Sequence, residues 1–211
     1  MAHRRRPASS YSRHPPQREP YDTVLIVCEG TKSEPAYFRA LCFAHQLSSA
    51  NVHVMPAAGS DPMSIVQFAE DRMADYDKVF CVFDRDGHAN YDQALQRINN
   101  SAPGRAGKWK AATSWPCFEL WLLLHHRYSD APFDAGGGGS SCDSVLRELR
   151  QYMPNYGKGS LSVFTDTEAA LHIALRHAKQ LARHNANTGS VNPATYIHEL
   201  VEYLIGLKPK T

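Results

Sequence analysis

Apolar residues fall along this chain in two alternating rhythms. Thr23-Val24-Leu25-Ile26-Val27-Cys28 is an almost continuous β-branched and aliphatic run. A run without polar alternation predicts a strand buried on both faces, as in a parallel sheet. Glu29-Gly30-Thr31 breaks it. Over about residues 34–47 the apolar positions Tyr37, Phe38, Leu41 and Ala44 return at helical spacing, with Pro35 in the first turn. Residues 52–55 predict a short second strand. Ser60-Asp61-Pro62 then predicts a helix start capped by Asp61 or Ser60, with Ile65, Val66, Phe68, Ala69 and Met73 as its inner face. Residues 78–83 predict a third strand, apolar after Lys78 and ended by Asp84-Arg85-Asp86-Gly87-His88. A helix over about 90–99, a short strand over 111–114 and a strongly apolar helix from Pro116 to His125 follow. The alternation of strand and helix predicts an α/β fold with a doubly wound, mostly parallel sheet flanked by helices.

The rhythm changes at the unbroken glycine run of residues 136–139, which reads as a flexible loop or hinge. Beyond it the spacing predicts helices over about 142–152, 165–183 and 193–204, with a glycine-containing loop over 155–159. The expected organisation is a basic tail over 1–20, an α/β core over 21–130, a Gly-rich connection over 131–142 and a helical C-terminal part over 143–211 packed on the same domain.

Composition changes this picture at two points. The chain has 211 residues, 43% of them hydrophobic, and a net charge of +2, so no general basicity points to nucleic acid. The charge is uneven, however. Arg4, Arg5, Arg6, Arg13 and Arg18 crowd the first twenty residues beside Pro7, Pro15, Pro16 and Pro20, almost without aliphatic side chains. Such a segment cannot bury enough surface to offset its ordering entropy and is expected to be disordered, as a solvated terminus or as an arm for phosphate backbones. It lacks the apolar stretch of a signal peptide, and no run reaches the length of a membrane span. The five cysteines, Cys28, Cys42, Cys81, Cys117 and Cys142, form no CxxC pair. They read as buried free thiols of a cytoplasmic protein, with neither a disulfide frame nor a zinc site.

The candidate chemistry lies where strands end. In an open α/β sheet, ligands bind outside the carboxyl ends of the strands. Glu29 ends the first strand, and Asp84 and Asp86 end the third. If those strands are neighbours, three carboxylates share one crevice. Their repulsion is relieved by a divalent cation, and hard oxygen ligands suit Mg²⁺ or Mn²⁺.

The blocks that carry these acids resemble the RloB-like family. They are Leu25-Ile26-Val27-Cys28-Glu29-Gly30-Thr31-Lys32-Ser33-Glu34-Pro35-Ala36-Tyr37-Phe38, then Val82-Phe83-Asp84-Arg85-Asp86-Gly87-His88, then Ser114-Trp115-Pro116-Cys117-Phe118-Glu119-Leu120-Trp121-Leu122-Leu123-Leu124-His125. Tyr156-Gly157-Lys158-Gly159 and Asn192-Pro193-Ala194-Thr195, with Leu200-Val201-Glu202-Tyr203-Leu204 after it, complete the series. The resemblance implies a Toprim-like fold with Glu29, Asp84 and Asp86 at a Mg²⁺ site. It further implies nuclease activity on DNA or RNA, a role in phage defence within abortive-infection or restriction-associated gene clusters, and an ATPase partner encoded alongside.

Around this centre, Glu119 faces either solvent or the site, where it would be a second-metal ligand or a base. Lys158, between two glycines, is a candidate for stabilising phosphate charge. Lys32 near a helix start, with Arg85 and His88 around the acidic turn, are candidate phosphate contacts. His125-His126-Arg127 reads as a basic helix end complementing the helix dipole, and His172, His177, His184 and His198 read as surface or partner-facing. A competing expectation is a catalytically silent adaptor that docks on the ATPase and relays an infection signal.

Overall fold

The computed structural model describes residues 21–85, 87–136 and 138–207. The basic tail lies outside the described residues. Five strands form one sheet in the order β2-β1-β3-β4-β5: β1 (Val24–Cys28), β2 (Val52–Pro56), β3 (Lys78–Asp84), β4 (Trp109–Trp115) and β5 (Ala194–Thr195). The first four run parallel, and β5 joins β4 antiparallel. Helices α1 (Ser33–Ala44), α2 (Pro62–Glu70), α3 (Tyr91–Asn100) and the short α4 (Ala102–Arg105) lie between the strands. They are followed by α5 (Glu119–Leu123), α6 (Ser141–Tyr152), α7 (Val163–Thr167), α8 (Leu171–Thr188) and, beyond β5, α9 (Ile197–Ile205). The fold is therefore the expected α/β class, with a mostly parallel sheet flanked by helices and further helices at its C-terminal end. Among the described residues no helix is long and apolar enough to cross a membrane.

The unbroken apolar runs are explained by two cores, one on each face of the sheet. Val24, Ile26 and Cys28 of β1 and Phe80 and Val82 of β3 pack with α1, α5 and the C-terminal helices. The alternate residues Leu25 and Val27, with Val79, Cys81 and Phe83, pack with α2 and α3. Strand periodicity of two assigns successive side chains to opposite cores, so neither face of the central strands tolerates a polar residue.

Three elements differ from the sequence reading. Strand β4 runs on to Trp115, so the helix begins at Glu119 rather than at Pro116. The segment expected to be one helix over 165–183 is divided into α7, a 3₁₀ turn (Glu168–Ala170) and α8, and α8 continues to Gly189, which caps it at φ 74°. The expected helix start at 193 is instead β5, whose two residues pair with Ser114 and Trp115. A two-residue strand is too short to show a period and exists only because the β4 edge offers backbone partners. Within the glycine run, Gly136 and Gly139 exchange backbone hydrogen bonds of 3.2 Å and close a turn, after which Ser140 and Asp143 form a capping box for α6.

The histidines are also corrected. His125 is buried, its Nδ1 lies 3.0 Å from the Trp121 carbonyl oxygen, and burial pulls its pKa down to about 4, so it is neutral and complements no dipole. His198 is buried. His177 is half-buried, its Nδ1 2.8 Å from the Leu124 carbonyl oxygen.

Asp61 caps α2 as expected, accepting from the backbone N–H groups of Met63 (3.1 Å) and Ser64 (3.2 Å). The Asn90 amide donates to the same oxygen at 2.6 Å, tying the start of α3 to that of α2. Asp61→Ala should therefore cost about 1–2 kcal/mol, read as a lower urea midpoint at unchanged m-value; an unmoved midpoint would contradict the cap.

Candidate functional site

The site is built at the carboxyl ends of β1 and β3, which pair in register with Cys28 beside Val82. The Glu29 N–H donates to the Val82 carbonyl at 2.9 Å, extending the ladder one residue past β1. The Asp84 N–H donates to Glu29 Oε2 at 2.9 Å, so the Glu29 side chain is turned along the sheet edge toward β3. Asp84 is the last residue of β3. Asp86, the third acid of the expected triad, lies outside the described residues.

Two further carboxylates converge on this edge. Glu34, in the first turn of α1, is buried. Its carboxylate occupies the space where a side chain on Gly30 would begin, so any larger residue there would push the Glu34 carboxylate aside. Glu119, the first residue of α5, is only 3% exposed. It faces the site, not solvent. The Tyr156 hydroxyl donates to its Oε1 at 3.1 Å.

Electrostatics bind the four acids into one system. Burial raises Asp84 well above the ordinary carboxylate range, and the charges of Glu34, Glu29 and Glu119 raise it further, against a backbone hydrogen bond from Phe118. Burial likewise raises Glu34, with Glu119 and Glu29 adding to the effect and Lys158 opposing it. Two cationic or ionisable partners are close by. His88 Nε2 lies 3.5 Å from Glu29 Oε1, and Lys158 Nζ lies 3.9 Å from Glu119 Oε2 with its side chain 61% exposed. The donor set is all hard oxygen, the ligand type that suits Mg²⁺ or Mn²⁺, and four acids share it with His88 and Lys158 alongside.

The loop carrying Lys158 is pinned to the start of α1. The Gly159 N–H donates to Ser33 Oγ at 2.8 Å, and Gly159 takes a φ of 92°. A Cβ there would meet the Lys32 stem, so Lys32 lies against this loop. Lys32 and Lys158 are thus brought to the same rim. Arg85 is placed differently: its guanidinium lies over the rings of Trp115 (4.2 Å) and Tyr91 (5.0 Å).

The cysteines overturn one expectation. Cys28, Cys42 and Cys81 are buried free thiols, with burial pushing Cys42 up to about 11 and Cys81 to about 12. Cys117 and Cys142, however, form a disulfide between the segments leading into α5 and opening α6. Twenty-five positions separate them, and no spacing rule brings them together; the packing of α5 on α6 does. The pair touches the acidic cluster, with Cys142 Sγ 3.6 Å from Glu119 Oε2 and 3.7 Å from Lys158 Nζ. The two sulfurs and a Glu119 oxygen all lie within 4.8 Å of one another, but sulfurs bonded to each other offer no thiolate to a metal.

Sequence reasoning missed Glu34, Tyr156 and the cysteine pair. Glu34 left one readable trace, an acid in the first helical turn five residues after Glu29, which reads equally as an ordinary helix-start acid.

A model of the family described as RloB-like protein matches residues 24–204. The chain belongs to the RloB-like family. The matched span contains Glu29, Glu34, Asp84, Glu119 and Lys158 together. No curated protein and no solved structure matches the chain.

The raised acids of this RloB-like protein have a measurable consequence. Glu34 and Asp84 hold protons more tightly folded than unfolded, so their favourable contribution is full below the ordinary range near pH ~4 and is lost as pH rises through their folded values. His125, His126 and His198, lowered by burial, act in the opposite sense as pH falls through about 6.5. Comparison with Glu34→Gln cancels the histidines. In EDTA, Glu34→Gln should raise the melting temperature at pH about 7.5, by about 2–4 °C per kcal/mol of repulsion relieved, and the gain should shrink toward pH about 5. A gain independent of pH, or a loss, would show that the cluster is not under charge strain.

Proposed function

We propose that this RloB-like protein is a Mg²⁺- or Mn²⁺-dependent nuclease of Toprim type that hydrolyses phosphodiester bonds, serving as the effector of a phage-defence system. The observation that carries the chemistry is the convergence of Glu29, Glu34, Asp84 and Glu119 at one sheet edge, with the pKa of Asp84 raised by burial and by the charges of the other three. The defence role, and an ATPase encoded alongside as partner, rest on the family resemblance. An acidic cleft repels a phosphodiester unless a cation intervenes, so the same feature that disfavours the empty cluster favours metal together with nucleic acid.

Glu29 and Asp84, with Asp86 beside them in sequence, would hold the ion, and Glu34 and Glu119 extend the oxygen set toward α1 and α5. When bound, the ion would polarise the phosphate and stabilise the leaving oxygen. The chain's own groups do the rest. Glu29 is oriented by the Asp84 N–H and flanked by His88, an arrangement able to take a proton from water and share it with an imidazole. Glu119 is held by the Tyr156 hydroxyl and so presents its other oxygen in a fixed direction. Lys158 has an exposed ammonium on a glycine-flanked loop and can exchange its contact with Glu119 for the charge developing on the phosphate. Lys32 at the same rim can receive a neighbouring phosphate.

Mg²⁺ or Mn²⁺ should raise the melting temperature at neutral pH, and Asp84→Asn should abolish most of that shift while the protein stays folded. Lys158→Ala should keep the shift but slow single-turnover cleavage by on the order of a hundredfold. Absence of the metal shift in the parent protein would sink the metal site. A normal shift without cleavage of any DNA or RNA, tested together with the neighbouring ATPase, would leave the adaptor role instead.

A further inference from the structure

The acidic cluster accounts for chemistry at a phosphate but not for what holds the nucleotide beside it. Two cavities share one wall, and the first includes the side chains that meet the acidic cluster, His88 beside Glu29 and Lys158 beside Glu119. That first cavity, about 840 Å³, is lined by His88, Ser140, Cys142 and Lys158 among others. The second, about 440 Å³, lies along the β4–β5 edge, with Asn99, Lys110, Asn185 and Tyr196 in its lining. Arg85, Tyr91 and Trp115 line both.

That shared wall is an aromatic and cationic stack. The Arg85 guanidinium sits 4.2 Å from the Trp115 ring centre and 5.0 Å from that of Tyr91. Among the described residues its ion pair is a loose one, 3.9 Å to an Asp92 carboxylate that is 72% exposed, which a phosphate can displace. Trp115 is half-buried, unlike Trp109 and Trp121, which are fully buried. Tyr196, 43% exposed, lines the second cavity with it. An aromatic side chain left partly open between two cavities and backed by a guanidinium offers a face to a flat partner.

We propose that this wall stacks an unpaired base and that the substrate is single-stranded nucleic acid, its backbone passing Lys158 and the carboxylates while a base lies against Trp115 and Arg85 and its neighbour reaches Tyr196. The proposal rests on the nuclease reading and narrows it. In a duplex the base faces are covered by their neighbours, so a stacking wall at the site selects against paired substrate. The second cavity falls within the size range of small-ligand sites, and the exposed Asn99 in its lining supplies a hydrogen-bonding edge of the kind a base presents.

Trp115 also supplies the measurement. Of the three tryptophans it is the one that is not fully buried, so stacking should quench intrinsic fluorescence through it. Short oligouridylate and oligothymidylate, and a duplex of equal length, are titrated into the full chain with Ca²⁺ in place of Mg²⁺, with anisotropy of labelled strands as the second readout. Single strands should quench saturably and bind about tenfold or more tighter than the duplex. Trp115→Ala should weaken single-strand binding by about tenfold. Trp115→Phe, which retains a ring and controls for folding, should keep most of the affinity, and Tyr196→Ala should show a smaller loss. Equal affinity for duplex and single strand, or unchanged affinity in a folded Trp115→Ala variant, would overturn the stacking wall while leaving the nuclease reading in place. Failure of every nucleic acid to bind, with no cleavage in Mg²⁺, would overturn both.

Discussion

The parallel register of β1 against β3 is the constraint on which the site depends. Because Cys28 pairs with Val82, β1 stops while β3 continues for two more residues, and the offset leaves Glu29 alongside the end of β3. The Glu29 N–H then closes on Val82 and the Asp84 N–H closes on the Glu29 carboxylate. A slip of one residue would move every side chain of β1 to the opposite core, placing Leu25 and Val27 where Val24, Ile26 and Cys28 now pack. The register is therefore enforced by the two apolar cores, and the placement of the acids follows from it without a separate device.

With that edge fixed, the neighbouring elements are arranged to crowd negative charge onto it. The Glu34 carboxylate takes up the space beside Gly30, and Glu119 is placed by α5 beginning soon after β4 ends. Neither placement favours stability, since burial alone raises the pKa of Asp84 and of Glu34. Charge strain concentrated in one cleft, in a chain whose other acids sit mostly at the surface, is the signature expected of a functional group of residues.

How much of this was legible in the sequence depended on the range of the interaction. Glu29 and Asp84 could be read because each terminates an apolar run, and runs of that kind determine where chain ends meet solvent. The α/β class was legible for the same reason. Glu34 and Glu119 could not be placed, because the side to which an acid at a helix start points is decided by the helix's rotation on the sheet, a tertiary quantity. Strand β5 was invisible because two residues carry no period, and Cys117 and Cys142 because their contact spans the Gly-rich connection. The stack of Arg85 on Trp115 joins residues thirty positions apart on neighbouring strand ends, which local pattern cannot show.

The last consequence concerns the C-terminal helices, which are not an accessory to the sheet. The 156–159 loop between α6 and α7 reaches back to the start of α1 through Gly159 and Ser33 and to the start of α5 through Tyr156 and Glu119. Tyr156 is buried, and burial together with the Glu119 charge raises its phenol, so it keeps its proton across the neutral range and acts as a fixed donor. Lys158, two residues on, is exposed and makes only a long contact to the same carboxylate. The loop thus separates two tasks: a protonated hydroxyl holds Glu119 in position, while the exposed Lys158 ammonium can change partner. A helix pair that merely covered the sheet would need neither. Removing the C-terminal part would therefore leave Glu119 without its Tyr156 donor and without the Lys158 ammonium, so the sheet edge and the helical part together make the site.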